Sequence, residues 1–332
     1  MAEPIRLKEI PGSTIVDLPN LDDNSTKNPT KPQALFEKIV LDTSKGVPTD
    51  LNGNKIDLSG CIAITRDTKH KGILHILIWV AQKIHSFLFG RRNTDANLVH
   101  TSIILKSDGK KEKPDHLVLA HALLGGIHTT SQSYFNKKDE RVTEFVVWRP
   151  IDPKLQELLL KHADQTVFNK KREEQEGVDY RIRKAGFGIV DMIGSTFRST
   201  SKTPSQGAIS RTANVVADLL LGNQILDKKG EKPHQFFCTP YVMSVLQGSL
   251  LIQALSDENK EKLLHDEDGN TRSREELAHI IYCKISQKSD ASTISKAYWN
   301  SRICQLNARY LQSCYAADAL DEVSNLVKVS QT

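Results

Sequence analysis

Leu98-Val99-His100-Thr101-Ser102-Ile103-Ile104-Leu105-Lys106 and His116-Leu117-Val118-Leu119-Ala120-His121-Ala122-Leu123 are two apolar, β-rich runs, joined by a polar stretch that holds Asp108-Gly109 and Pro114. Runs of this kind bounded by turn residues form strands, and so short a connection makes them a hairpin. With the turn over Asp108 to Lys113, Ser107 faces Pro114 and His100 falls directly opposite His121, Cβ atoms about 5 Å apart. A tighter turn at Asp108-Gly109 changes the register but keeps both histidines on one face, while alternation turns His116 to the other. The plain alternative is two histidines that cap a strand pair.

Phe236-Phe237-Cys238-Thr239-Pro240-Tyr241-Val242-Met243 leads from two aromatics into an apolar helical pattern. Proline suits the first turn of a helix, where its missing N–H costs nothing. Cys238 therefore stands at a helix start, where the macrodipole and free N–H groups favour a thiolate and offer an oxyanion site. A thiolate needs a base, and the base a partner that fixes its tautomer. Cys238, His100 and His121 supply one group for each role. A buried structural cysteine is the plain alternative.

Around these segments the chain reads as α+β. Residues 1–55 are rich in Pro, Asn, Asp, Thr and Lys and look like a polar arm. Residues 56–255 hold the strands and the Cys238 helix. Beyond Ser256 every periodic segment is helical, which predicts a helical appendage over 256–332. Glu144 to Trp148 reads as a strand and Leu155 to Val167 as a helix. The Ser/Thr-dense stretch from Ser195 to Thr212 reads as a loop over a site, with a helix from Ala213.

Ile73 to Phe89 is strongly apolar, yet His75, Gln82, Lys83, His85 and Ser86 interrupt it. A membrane span wants about 20 mainly apolar residues. His75, Gln82 and Ser86 lie within about 20° of one line on a helix. The pattern predicts a largely buried core helix, in which Ile78→Asp unfolds the domain. A helix lying in a membrane interface is the rival.

The 332 residues are 39% hydrophobic and 26% charged, ordinary for a globular protein, and 45 basic against 40 acidic side chains give +5. Without a basic stripe and interleaved aromatics, nucleic acid is not expected as a partner. The five cysteines are widely spaced with no Cys-x-x-Cys, so neither a disulfide framework nor a thiolate zinc site is expected. The start shows no Sec-type signal, so the expected location is cytoplasmic, or a host cell reached without that signal.

In order and spacing these segments resemble the circularly permuted branch of the NlpC/papain-like superfamily, which includes YiiX-like hydrolases and, more distantly, lecithin:retinol acyltransferase. Val99-His100-Thr101-Ser102-Ile103 is similar to its His-bearing strand, Leu119-Ala120-His121-Ala122 to its next strand, and Phe237-Cys238-Thr239 to its nucleophile. Leu58-Ser59-Gly60-Cys61-Ile62 resembles its entry strand with Cys61 where the family has Asp. Ile76-Leu77-Ile78-Trp79 resembles the helix before the base, Val146-Val147-Trp148-Arg149-Pro150 a later strand, and Gly177-Val178-Asp179-Tyr180 its Gly-x-x-Tyr segment. His121 replaces a Glu, as in the retinol acyltransferase branch, and Pro240 stands where the family has a second Glu.

The resemblance implies a thiol hydrolase or acyltransferase without metal or cofactor. Cys238 would attack an amide, ester or thioester, with His100 as base and His121 as orienter. Thr239 and Tyr180 would meet the substrate, a peptide or a lipid acyl group; a core tyrosine is the other account of Tyr180. The rivals are a non-catalytic module that keeps the fold, such as a secreted bacterial effector on a host protein, and a metal site of His100, His121 and His128.

Overall fold

The computed structural model describes residues 34–42, 48–49, 52–53, 55–67, 73–88, 95–105, 116–123, 126–133, 144–167, 204–223, 238–327 and 329–331. Its main sheet runs in the order β6 (Gly126–Ser133), β5 (His116–Leu123), β4 (Leu98–Leu105), β3 (Ile62–Arg66), β7 (Glu144–Pro150), β1 (Phe36–Asp42) and β8 (Ser324–Leu326). All neighbours pair antiparallel except β1 and β8. A separate short pair joins β2 (Pro48–Thr49) to β9 (Ser330–Gln331). The helices are α1 (Ile73–Leu88), α2 (Pro153–Thr166), α3 (Gln206–Leu220), α4 (Cys238–Ala254), α5 (Asp257–Leu264), α6 (Arg274–Ser286), α7 (Thr293–Asn300) and α8 (Ser313–Asp321). The fold is α+β.

Alternation along the strands divides the apolar residues between two cores. Ile62, Ile64, Ile103, Ala120, Val146 and Trp148 pack with the helices in the larger one. Ala63, Ile104, Leu117, Leu119, Phe145 and Val147 form the smaller core on the opposite face, with Ile39, Leu41, Leu58 and Cys61. The approach to β3 turns at Gly60, whose φ is +74°. A Cβ there would meet the Gln156 carbonyl oxygen at 2.2 Å, so only glycine fits.

Polar bonds between buried side chains hold the helices together. His162 Nδ1 lies 2.8 Å from Ser249 Oγ and Thr166 Oγ1 2.9 Å from Tyr241 Oη, which fixes α2 on α4. Arg274 donates to both oxygens of Asp218, at 2.6 and 3.0 Å, and so ties α6 to α3.

Three expectations change. The polar arm does not run to residue 55, because Phe36–Asp42 is a strand inside the sheet with Phe36, Ile39 and Leu41 buried; residues 1–33 lie outside the described residues. The helices after Ser256 are no appendage. Leu277, Ile281, Tyr298, Tyr315 and Leu320 fill the larger core, β8 extends the sheet, and Trp148 donates its ring N–H to Asp321 at 3.0 Å. From Ala34 onward the described residues belong to one compact unit. The loop expected over 195–212 gives way to α3 at Gln206, where Ser205 accepts from the Ala208 N–H as N-cap.

The fourth change concerns α1. Among its described side chains the buried ones are the polar Gln82 and His85, while Ile76, Leu77, Val80, Ile84 and Phe87 are exposed. Gln82 donates to the Leu98 carbonyl at 3.0 Å, and His85 Nδ1 lies 2.6 Å from the Tyr315 hydroxyl. The polar stripe turns inward because it finds partners there. The expected buried apolar helix is reversed.

Candidate active site

Cys238 is the first residue of α4, and Pro240 stands in that helix's first turn. The thiol is only 6% exposed. Burial pushes its pKa up, and the Thr101 peptide group with the Thr239 and Ser313 hydroxyls offsets part of the rise. The helix start works against that rise.

Beside the sulfur three hydroxyls close a ring. Thr101 Oγ1 donates to Ser313 Oγ at 3.0 Å, Ser313 Oγ lies 2.9 Å from Thr239 Oγ1, and Thr239 Oγ1 lies 3.0 Å from Thr101 Oγ1. Three protons suffice for three bonds, so the ring satisfies itself without a charged neighbour. It joins β4, α4 and α8, and the Cys238 sulfur sits 3.9 Å from its Thr239 corner.

The expected histidine pair forms. His100 Nε2 lies 2.7 Å from His121 Nδ1, with the rings edge to face. At that distance one nitrogen carries the proton and the other accepts it. The register differs from the expected one: Ile103 pairs with Ala120 and Ile104 with Leu119. Continued along the strands, it sets His121 opposite Ser102 rather than His100. The pair meets on the diagonal, which suits long side chains on one face.

That face is not the one that carries the thiol. Ile64 pairs with Thr101 and Thr65 with His100. Ile64 belongs to the core shared with α4, and Thr101 touches Thr239 of α4. His100, one residue along, leaves the sheet on the other side, where Leu119 and His121 also point. The histidines thus come together with each other, and Cys238 with Thr239, but the three expected catalytic residues are divided by the sheet. The pairing of β3 with β4 jumps from Thr65–His100 to Arg66–Leu98, a bulge that leaves Val99 as the extra residue.

Sequence reasoning missed Thr101 and Ser313. Thr101 sits beside a more conspicuous histidine, and Ser313 lies in a helical region with no spacing signal toward Cys238. Tyr180, expected at the substrate, lies outside the described residues. His128 stands opposite His121 in the β5–β6 register, and its side chain is likewise outside them. Among the described residues no three His, Cys, Asp or Glu side chains converge as metal ligands. All five cysteines are free thiols.

No protein-family model, no curated protein and no solved structure matches the chain.

Proposed function

We propose that this chain is a binding module built on a scaffold of the permuted papain-like type, rather than a thiol enzyme using Cys238, His100 and His121. The observation that carries this reading is the strand register that sends Thr101 toward α4 and His100 away from it. A base across a sheet from its nucleophile cannot take the nucleophile's proton. The raised pKa of the buried thiol supports the same reading.

One observation favours the hydrolase or acyltransferase reading. The extra residue at Val99 directly precedes His100. A one-residue slip of a strand carries its side chains to the other face, so moving that bulge past His100 would turn the imidazole toward Cys238. The Cys238 thiolate would then attack an acyl carbon and expel its amine, alcohol or thiol, with His100 taking the thiol proton and returning it to the leaving group. His121, held on the other face by β5, would orient His100 only if β5 slipped as well.

Thiol mapping decides between them. The native protein is treated with iodoacetamide across a pH series and, separately, with acyl-thioester and chloromethyl-amide probes. A binding module gives alkylation of the partly exposed Cys283 first, with Cys238 protected until the protein unfolds. A probe adduct on Cys238, or its alkylation well below the roughly 8.5 of a free thiol, overturns the proposal in favour of the enzyme.

A further inference from the structure

On a helical projection Ile76, Phe87, Val80, Ile84 and Leu77 fall within an arc of about 100°. All five are exposed, Leu77 at 56% and Phe87 at 87%. Gln82 and His85 point the opposite way into the fold. A contiguous apolar face on the outside of a folded domain marks an interaction surface. Its partner is chosen by the charge around it.

From Thr68 to Thr94 the chain holds Lys69, Lys71, Lys83, Arg91 and Arg92 and no Asp or Glu, a charge of +5 that equals the net charge of the whole chain. In sequence, Lys71 and Arg91 lie within three residues of the helix ends. Lys83 is on the helix itself, its ammonium 5.8 Å from the Trp79 ring at one edge of the apolar arc. An aromatic ring and a lysine at the border of an apolar face suit the level of lipid headgroups.

We propose that α1 docks the protein onto an anionic membrane surface, with its axis in the plane of the interface, its apolar arc among the acyl chains and the flanking cations on the lipid phosphates. No single described helix is long and apolar enough to cross a membrane. At 16 residues α1 is about 24 Å long, shorter than the roughly 30 Å hydrocarbon core. An apolar face bordered by basic residues is the pattern of a helix that lies in the interface. The proposal rests on the binding-module reading and names its ligand. It also identifies what the inward polar stripe does: Gln82 and His85 fasten the helix to Leu98 and Tyr315, so the apolar face stays outside.

Flotation of the full chain with vesicles tests it. We expect co-flotation with phosphatidylcholine vesicles that contain about one third phosphatidylserine, and at least about tenfold less with phosphatidylcholine alone. Raising salt from about 0.05 to about 0.5 M weakens the binding. Leu77→Ser/Phe87→Ser is expected to abolish flotation with an unchanged melting temperature, and Lys83→Glu to reduce it severalfold. Equal flotation on neutral and anionic vesicles overturns the charge argument. Loss of folding in Leu77→Ser/Phe87→Ser shows that the face belongs to the core, and a concentration-dependent dimer that the double variant makes monomeric assigns it to a second copy of this chain; either result overturns the proposal. Thiol mapping of Cys238 is read on the same preparation, so failure of the membrane proposal and failure of the binding-module reading are told apart.

Discussion

Thr101 Oγ1 lies 3.0 Å from Thr239 Oγ1, and this contact fixes which face of β4 meets the helix that begins at Cys238. Ser313 closes the ring from a segment 74 residues beyond Thr239. The hydroxyls are buried, so each depends on the other two. Ser313→Ala leaves two buried hydroxyls competing for one bond and is expected to cost about 1–3 kcal/mol. Thr101→Val/Thr239→Val/Ser313→Ala, which removes all three hydroxyls, is expected to cost less than the sum of the single changes. Urea unfolding of the set checks this, and additive losses contradict it.

The pair of Asp218 and Arg274 is also buried, with side chains 0% and 7% exposed. Removing Asp218 takes the nearest counter-charge from Arg274, whose ion pair with Glu275 is longer, at 3.7 Å, and to an exposed side chain. Asp218→Ala is expected to lower stability by about 3–5 kcal/mol, and Asp218→Leu/Arg274→Met by much less, because apolar replacement of a whole buried pair is often near neutral. Chemical denaturation of single and double variants reads both numbers. A double variant as unstable as Asp218→Ala would mean that the pair's geometry, not its charge balance, holds α3 and α6 together.

Gly60 gives a sharper backbone test. Gly60→Ala meets both a positive φ and the Gln156 carbonyl. The strain alone is worth about 1–3 kcal/mol, and the contact adds to it. Gly53, also at positive φ but with open space around its Cβ position, is the control. Gly53→Ala is expected to lower the melting temperature much less than Gly60→Ala.

These residues also mark what a linear sequence can reveal. The β4–β5 hairpin, α2 and the start of α4 are legible because apolar periodicity and Pro240 report local geometry. The strand Phe36–Asp42 hides among Pro, Asn and Lys, and its pattern shows only once β7 and β8 are beside it. Gly126–Ser133 is polar and lies at the sheet edge, where one neighbour suffices. The histidine pair is legible as two residues on one face, but which face meets α4 is set by Thr101 bonding Thr239 and Ser313, partners far away in sequence. For α1 the periodicity defines an apolar arc without saying which side is inside. Partners distant in sequence, Leu98 and Tyr315, decide that.

His162 provides a pH-dependent test of how α2 holds α4. It is 2% exposed, and burial, with a smaller contribution from Lys161, lowers its pKa from 6.5 to about 4. Ser249 Oγ donates its one proton to the Val245 carbonyl at 2.8 Å, so in the 2.8 Å contact with His162 Nδ1 the imidazole is the donor and the serine the acceptor. The folded state therefore holds a neutral ring, whereas the unfolded chain takes up a proton below about pH 6.5. The stabilising contribution is complete above that pH, falls as pH drops from 6.5 toward 4, and is gone below 4. Over the full window it amounts to about 3 kcal/mol, of which about 2 kcal/mol is lost by pH 5. His162→Gln removes the titration and keeps an N–H that can reach Ser249. The variant is expected to be less stable than the parent at pH 7.5, with the gap narrowing by about 2 kcal/mol at pH 5. Urea midpoints at the two pH values give that difference, and a gap that stays constant would place the acid sensitivity of the fold in other groups.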